Sequence, residues 1–176
     1  SIVFLNYRDS VERTALFLKE NGFTISWFHG GLDQREREAA LYRFSNGSAP
    51  ILVSTDLASR GLDIPDVDNI IHYHFPETED SYVHRVGRTA RWDKEGKTFF
   101  ILGPEERLPE FVSNEHEEYK IPDSLQKPAQ PRMATIYIGK GKKDKISKMD
   151  IVGFLCKKGG LKSSEIGKID IKDRFT

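Results

Sequence analysis

Ser1-Ile2-Val3-Phe4-Leu5 opens the chain as an apolar run, and its reading decides the fold. Side chains of a strand alternate between two faces, so a strand with no polar member inside it needs cover on both sides. A parallel sheet meets that condition, because its connecting helices lie on both faces. A chain that starts inside a core strand is expected to be a piece of something longer. Outward from this run, Asp9 or Ser10 can cap a helix with Val11, Ala15, Leu16 and Leu18 as apolar positions and Gly22 past its end. Residues 24–28 read as a second strand. Residues 33–46 read as a second helix, with Leu41 and Phe44 inward and Gly47 as its stop. Strands follow at 51–54, after Pro50, then at 69–75 and 97–102, with a helix over 81–90 between the last two. Strands alternating with helices imply right-handed crossovers, so the expected class is α/β: a doubly wound parallel sheet with helices on both faces.

In such sheets ligands bind outside the carboxyl ends of the strands. The unusual residues of this chain cluster there: Asn6-Tyr7-Arg8 after the first strand, His29-Gly30-Gly31 after the second, and Thr55 through Asp63 after the third. A polar string with a glycine at one rim suits phosphate and sugar groups.

The stretch Tyr82-Val83-His84-Arg85-Val86-Gly87-Arg88-Thr89-Ala90-Arg91 carries the densest chemistry. Continued as one helix, it sets His84, Arg88 and Arg91 on one face, with Val83, Val86 and Ala90 turned inward and Arg85 off to the side. Guanidiniums and an imidazole aimed together repel unless an anion faces them, and the planar fork of arginine matches phosphate oxygens. For such a helix taken alone, a solvated basic face is the alternative.

Composition is 38% hydrophobic and 31% charged, and no apolar run approaches the length of a membrane-spanning helix. The single Cys156 cannot form an internal disulfide and is expected to be buried and inert in a reducing, cytoplasmic setting. There is no metal-ligand spacing of Cys and His. Zero net charge hides a split: from Met133 onward the chain holds 11 Lys plus Arg against 5 Asp plus Glu, and the first 132 residues hold 16 against 22. The basic portion hints at an anionic partner. Residues 103–119 read as an acidic helical segment, and 121–132, with Pro122, Pro128 and Pro131, as a linker. Beyond it, 134–138 and 166–175 read as strands around a helix at 148–158 whose core stripe is Ile151, Val152, Phe154 and Leu155, a partial β-α-β segment.

Residues 1–120 resemble, in order and throughout, the second RecA-like domain of DEAD-box ATP-dependent RNA helicases. Residues 2–8 are similar to motif IV of that family, and His29-Gly30 through Gln34-Arg35-Glu36-Arg37 to its HG…QxxR stretch. Residues 54–64 (STDLASRGLDI) are similar to motif V and 84–91 (HRVGRTAR) to motif VI. Gly31 stands where Asp is usual, Ser59 for Ala and Ala90 for Gly, departures not expected to abolish function. Residues 133–176 resemble the start of the RRM-like RNA-binding domain appended to DbpA-type helicases. Thr135-Ile136-Tyr137-Ile138, Lys142-Lys143-Asp144-Lys145, Asp150-Ile151-Val152-Gly153 and residues 166–171 carry that likeness.

The resemblance implies roles. Arg88 and Arg91 would be arginine fingers for the γ-phosphate of ATP, and His84 would couple them to the partner domain, while Arg85 would be structural. Gly61 and Asp63 would hold the nucleotide, Asp63 by accepting from a ribose hydroxyl. Asn6, Arg8, Arg37, Thr55 and Arg60 would contact phosphates and sugars of single-stranded RNA without reading its sequence. The implied protein is a monomer that remodels ribosomal RNA in ribosome biogenesis, by closing two domains over ATP and RNA. No G-x-x-x-x-G-K-[ST] and no Asp-Glu-Ala-Asp occurs here. ATP and Mg²⁺ would therefore sit mainly on the N-terminal RecA-like domain of the same protein, and this chain alone is expected to be inactive. A non-enzymatic RNA-binding module, or a related DNA helicase domain, are the alternatives.

Overall fold

Alternation along the first strand divides the core in two. Ile2 and Phe4 join Phe28, Leu52 and Ile70 on one face of a sheet, while Val3 and Leu5 join Val53 on the other. The computed structural model describes residues 1–59, 64, 67–89, 96–112 and 116–176. Five strands, β1 (Ile2–Phe4), β2 (Ile25–Phe28), β3 (Ile51–Ser54), β4 (Asn69–His72) and β5 (Lys97–Phe100), form one parallel sheet in the order β2-β3-β1-β4-β5. Helix α1 (Arg8–Glu20) covers the Val3 face with Val11 and Ala15, and α2 (Gln34–Ser45) covers the Ile2 face with Ala40 and Phe44. β1 is the central strand and is buried at every position, as expected for a strand covered on both sides.

The parallel register aligns the strand ends. Phe28 pairs with Ser54, Ser54 with Phe4, Phe4 with His72, and His72 with Phe100. The last residue of each strand thus lies in one row across the carboxyl edge of the sheet.

Helix ends obey local chemistry. Asp33 caps α2, accepting from the Glu36 N–H at 2.7 Å while Glu36 accepts from the Asp33 N–H at 2.9 Å. Gly22 and Gly47, just past α1 and α2, have φ of 85° and 78°, the left-handed region glycine enters without strain. α1 begins earlier than Asp9 or Ser10 would set it: Tyr7 is its cap and supplies no side-chain bond, Ser10 is buried, and Leu16 is exposed.

Three further expectations are corrected. β4 stops at His72, short of 75, because the Phe4 carbonyl accepts from both the Tyr73 and His74 N–H groups (3.0 and 3.3 Å), bending the chain over the end of β1. The helix expected at 81–90 is α3 (Glu79–Val86), capped by the Thr78 hydroxyl and ended at Gly87. It stops there because Val67 N–H bonds to the Arg88 carbonyl and the Thr89 hydroxyl bonds to the Val67 carbonyl, pulling the chain off the helical path. Its inward side is Ser81 and Arg85, and Val83 is exposed. The described part of 103–119 contains no helix, since Pro104 and Pro109 restrict the residues before them and remove donors.

The chain divides into two compact units, Ser1–Pro131 and Arg132–Thr176. In the second, α4 (Lys148–Lys157) is capped by Ser147 with Asp150. The flanking segments form no strands. Ile138 and Thr176 exchange two backbone bonds of 2.8 and 2.9 Å, Tyr137 rests on Phe175, and the Lys142 and Lys143 N–H groups reach the Lys172 and Asp173 carbonyls, but these scattered bonds form no continuous ladder. Ile151 is buried, Phe154 is exposed and Cys156 only partly covered, so the expected core stripe is incomplete. No helix among the described residues is long and apolar enough to cross a membrane.

Candidate functional site

Glu79 and Asp80 occupy the first turn of α3 and suit the positive end of its dipole, and the next turns lower Arg85 onto the carboxyl-edge row. Arg85 is fully buried, its guanidinium 5.1 Å from the centroid of the Phe4 ring. Nε donates to the Asp56 carboxylate, Nη1 to the His74 carbonyl at 2.9 Å, and Nη2 to Asn6 Oδ1 at 2.9 Å. Nη1 also lies 3.3 Å from His72 Nδ1. One cation therefore ties together the carboxyl ends of β1, β3 and β4. A buried charge is tolerated only when paired and hydrogen-bonded, and Asp56 supplies the counter-charge.

His72 answers to that cation. Its ring stacks on Phe100 with centroids 4.4 Å apart, and burial, then the Arg85 charge, pushes its pKa down to about 3. A neutral ring can turn the Nδ1 lone pair to the guanidinium. His74 accepts from the Asn6 N–H at 3.1 Å through Nδ1, and burial followed by the charge of Arg85 lowers its pKa too.

The expected site residues fall into three groups. Asn6, Arg8 and Thr55 come together at the ends of the adjacent strands β1 and β3, beside the His29 turn that succeeds β2. The Asn6 amide is used at both ends, donating to the Phe75 carbonyl at 3.0 Å as well as accepting from Arg85. Arg8 is exposed and leans over the glycine turn, where a Cβ on Gly30 would stand 3.4 Å from its Nη2. The Thr55 N–H bonds to the Phe28 carbonyl at 3.3 Å. Within the turn, the Gly31 N–H donates to buried His29 Nδ1 at 3.1 Å. Glu12 lies 3.1 Å from His29 Nε2, out of line for a hydrogen bond. Arg37, half-buried in the first turns of α2, donates to Gln34 at 3.0 Å.

Second are His84 and Arg88. His84 is exposed and 3.3 Å from Asp80 on its own helix. Arg88 lies beyond the end of α3, so it does not stand one helical turn above His84 as the sequence pattern predicts. Its half-buried guanidinium instead grips the Ser59 carbonyl, with Nε at 3.1 Å. Third, Arg60, Gly61, Asp63 and Arg91 lie outside the described residues.

Sequence reasoning sets Arg85 aside as structural and misses Asp56, His72 and His74 as its partners. Two histidines interrupting an otherwise apolar strand were the available signal, since imidazoles at strand positions need a polar neighbour. Among the described residues no group of three or more His, Cys, Asp and Glu could hold a metal ion.

Residues 1–93 match the family model described as helicase conserved C-terminal domain, and 135–176 match that of the DbpA RNA binding domain. The ATP-dependent RNA helicase DbpA of Escherichia coli (strain K12) is 34% identical over 176 residues, covering 97% of this chain and 38% of that protein. The ATP-dependent RNA helicase DBP3 of Mycosarcoma maydis is 42% identical over 129 residues, 72% of this chain and 22% of that protein. The chain thus spans well under half the length of these relatives. Among solved structures, Dbp5 of S. cerevisiae bound to RNA and ADP BeF3 aligns with a TM-score of 0.56 at 28% identity, over 59% of this chain and 28% of the other.

Proposed function

The chain belongs to the helicase conserved C-terminal domain family, and from that premise we propose that it is the C-terminal half of an ATP-dependent DEAD-box RNA helicase. Its carboxyl edge would carry RNA, and Arg88 with Arg91 would meet the γ-phosphate of ATP held by an N-terminal RecA-like domain. One observation carries the reading: segments that match helicase motifs, far apart in sequence, converge on the carboxyl edge of one parallel sheet and are braced there by Arg85. A ligand site in such sheets belongs at that edge.

The donor set favours a phosphate group. Arg88 is charged at any working pH, and its backbone and guanidinium are tied to Val67 and Ser59, so little ordering remains when an anion arrives. Mg²⁺ finds no ligand cluster among the described residues, and the metal would be held elsewhere in the protein. Bound ATP supplies the phosphoanhydride whose hydrolysis drives the cycle. What this chain contributes is charge at the phosphate through its arginines, a neutral pair of histidines beneath the rim, and cationic Arg8 and Arg37 toward an RNA backbone. Contacts of that kind hold a strand without reading bases, and closure of two domains would strain a duplex locally. The basic second unit, similar to the DbpA RNA binding domain, would give a further RNA contact, with ribosomal RNA as the substrate class and the cytoplasm as the site of action.

Arg88→Ala and Arg91→Ala in the full-length helicase test this. RNA-stimulated ATP hydrolysis should fall by roughly 10³-fold or more, with the unfolding midpoint little changed. Near-normal turnover in either variant refutes the assignment.

A further inference from the structure

Three aromatic rings from two neighbouring strand ends stand together at the carboxyl edge. Tyr7 comes after β1 and is 63% exposed, and Tyr73 comes after β4 and is 41% exposed. Between them lies His74, with ring centroids 5.6 Å from Tyr7 at 64° and 5.2 Å from Tyr73 at 62°. Both contacts are edge-on, so each tyrosine keeps at least one ring face uncovered by the imidazole. The platform is stiff: the His74 ring is pinned by the Asn6 N–H, and the His74 carbonyl is pinned by buried Arg85. Large aromatic surfaces are normally buried, and the tertiary structure keeps these open although the core lies directly beneath.

We propose that Tyr7, His74 and Tyr73 form a stacking platform for unpaired bases of a single-stranded RNA whose backbone runs past Arg8. The proposal rests on the RNA reading above and adds base contacts to the phosphate contacts assigned there. Three features favour a nucleobase. Aromatic rings beside a cation are the usual surface for single strands, because every base has a π-face. The imidazole is held neutral by burial and by the Arg85 charge, which suits stacking. And the rings continue directly from Asn6 and Arg8 on the edge already assigned to RNA. Arg13 and Glu106 also act on the His74 titration, Arg13 lowering it and Glu106 raising it.

The test is binding of this 176-residue chain to a labelled oligouridylate and to an abasic oligonucleotide of the same length, read by fluorescence anisotropy. The unaltered chain should bind the base-bearing strand about tenfold or more tightly than the abasic one. The double variant Tyr7→Ala, Tyr73→Ala should bind both alike, and Tyr7→Phe, Tyr73→Phe should keep the preference. Both side chains are exposed, so the thermal midpoint should not move, and a drop shared by the alanine and phenylalanine pairs would overturn the platform role. Equal binding of the two strands by the unaltered chain, or a preference that survives the alanine pair, refutes base stacking and leaves the patch to a protein partner. Binding of neither strand would overturn the RNA reading itself, and this inference with it.

Discussion

Replacing Arg85 by alanine should be the most damaging single change in the first unit. The guanidinium is fully buried and bonds to Asp56, Asn6 and the His74 carbonyl, with His72 Nδ1 3.3 Å away. Alanine would leave a cavity over Phe4, an unpaired carboxylate and two orphaned acceptors. Asp56 is 32% exposed and recovers some hydration, which moderates the loss. Removing one partner of a buried pair typically costs about 3–5 kcal/mol, a large part of a domain stability on the order of 5–15 kcal/mol. Lysine keeps the charge but cannot reach three strand ends at once, so Arg85→Lys should recover about half of the loss. Urea unfolding tracked by tryptophan fluorescence, with far-UV circular dichroism alongside, reads both variants. The pair Asp56→Asn, Arg85→Ala should show coupling of about 1–3 kcal/mol against the single changes. A loss below about 1 kcal/mol for alanine, or equal losses for lysine and alanine, would refute the view that one guanidinium braces the edge.

Three other outcomes derive from the same geometry. His72 has a folded pKa of about 3 against an ordinary 6.5, so the unfolded chain takes up the proton first and this contribution, full above about pH 6.5, is lost as pH falls toward 3. Urea midpoints should drop over that window with a limiting slope of about 1.4 kcal/mol per pH unit, and His72→Gln should flatten it; an unchanged slope would contradict the burial argument. Asp33→Ala removes the side-chain arm of the α2 capping box, leaves its own N–H bonded to Glu36, and should cost about 1 kcal/mol in thermal unfolding, whereas no shift would mean that the Asp33 carboxylate does not set the start of the helix. At Gly96 a Cβ would stand 1.8 Å from the Thr89 hydroxyl, which is bonded to the Val67 carbonyl, so Gly96→Ala should destabilise by about 1–3 kcal/mol; a neutral result would show that Thr89 can turn away freely.

How much was legible beforehand differs by element. Ile51–Ser54 and the extent of α2 were readable because their signals are local: an apolar run after a proline, and inward Leu41 and Phe44 closed off by Gly47. The end of α3 was not, because nothing within 82–91 announces that Val67, some twenty residues earlier, will seize the backbone at Arg88 and Thr89. The partners of Asn6 were hidden for the same reason. In sequence it is a polar residue after a strand, and in space its amide bonds to Arg85 and the Phe75 carbonyl.

The amino-acid sequence by itself determined the α/β class, the central two-faced strand and the family, since hydrophobic period and motif order are properties of one chain read in line. Only the tertiary structure decided which cation is fully buried and which is only partly covered. Arg85 and Arg88 are the same residue type three positions apart, and what separates them is the parallel register that sets Asp56, Asn6 and His72 side by side under one and the Ser59 carbonyl under the other.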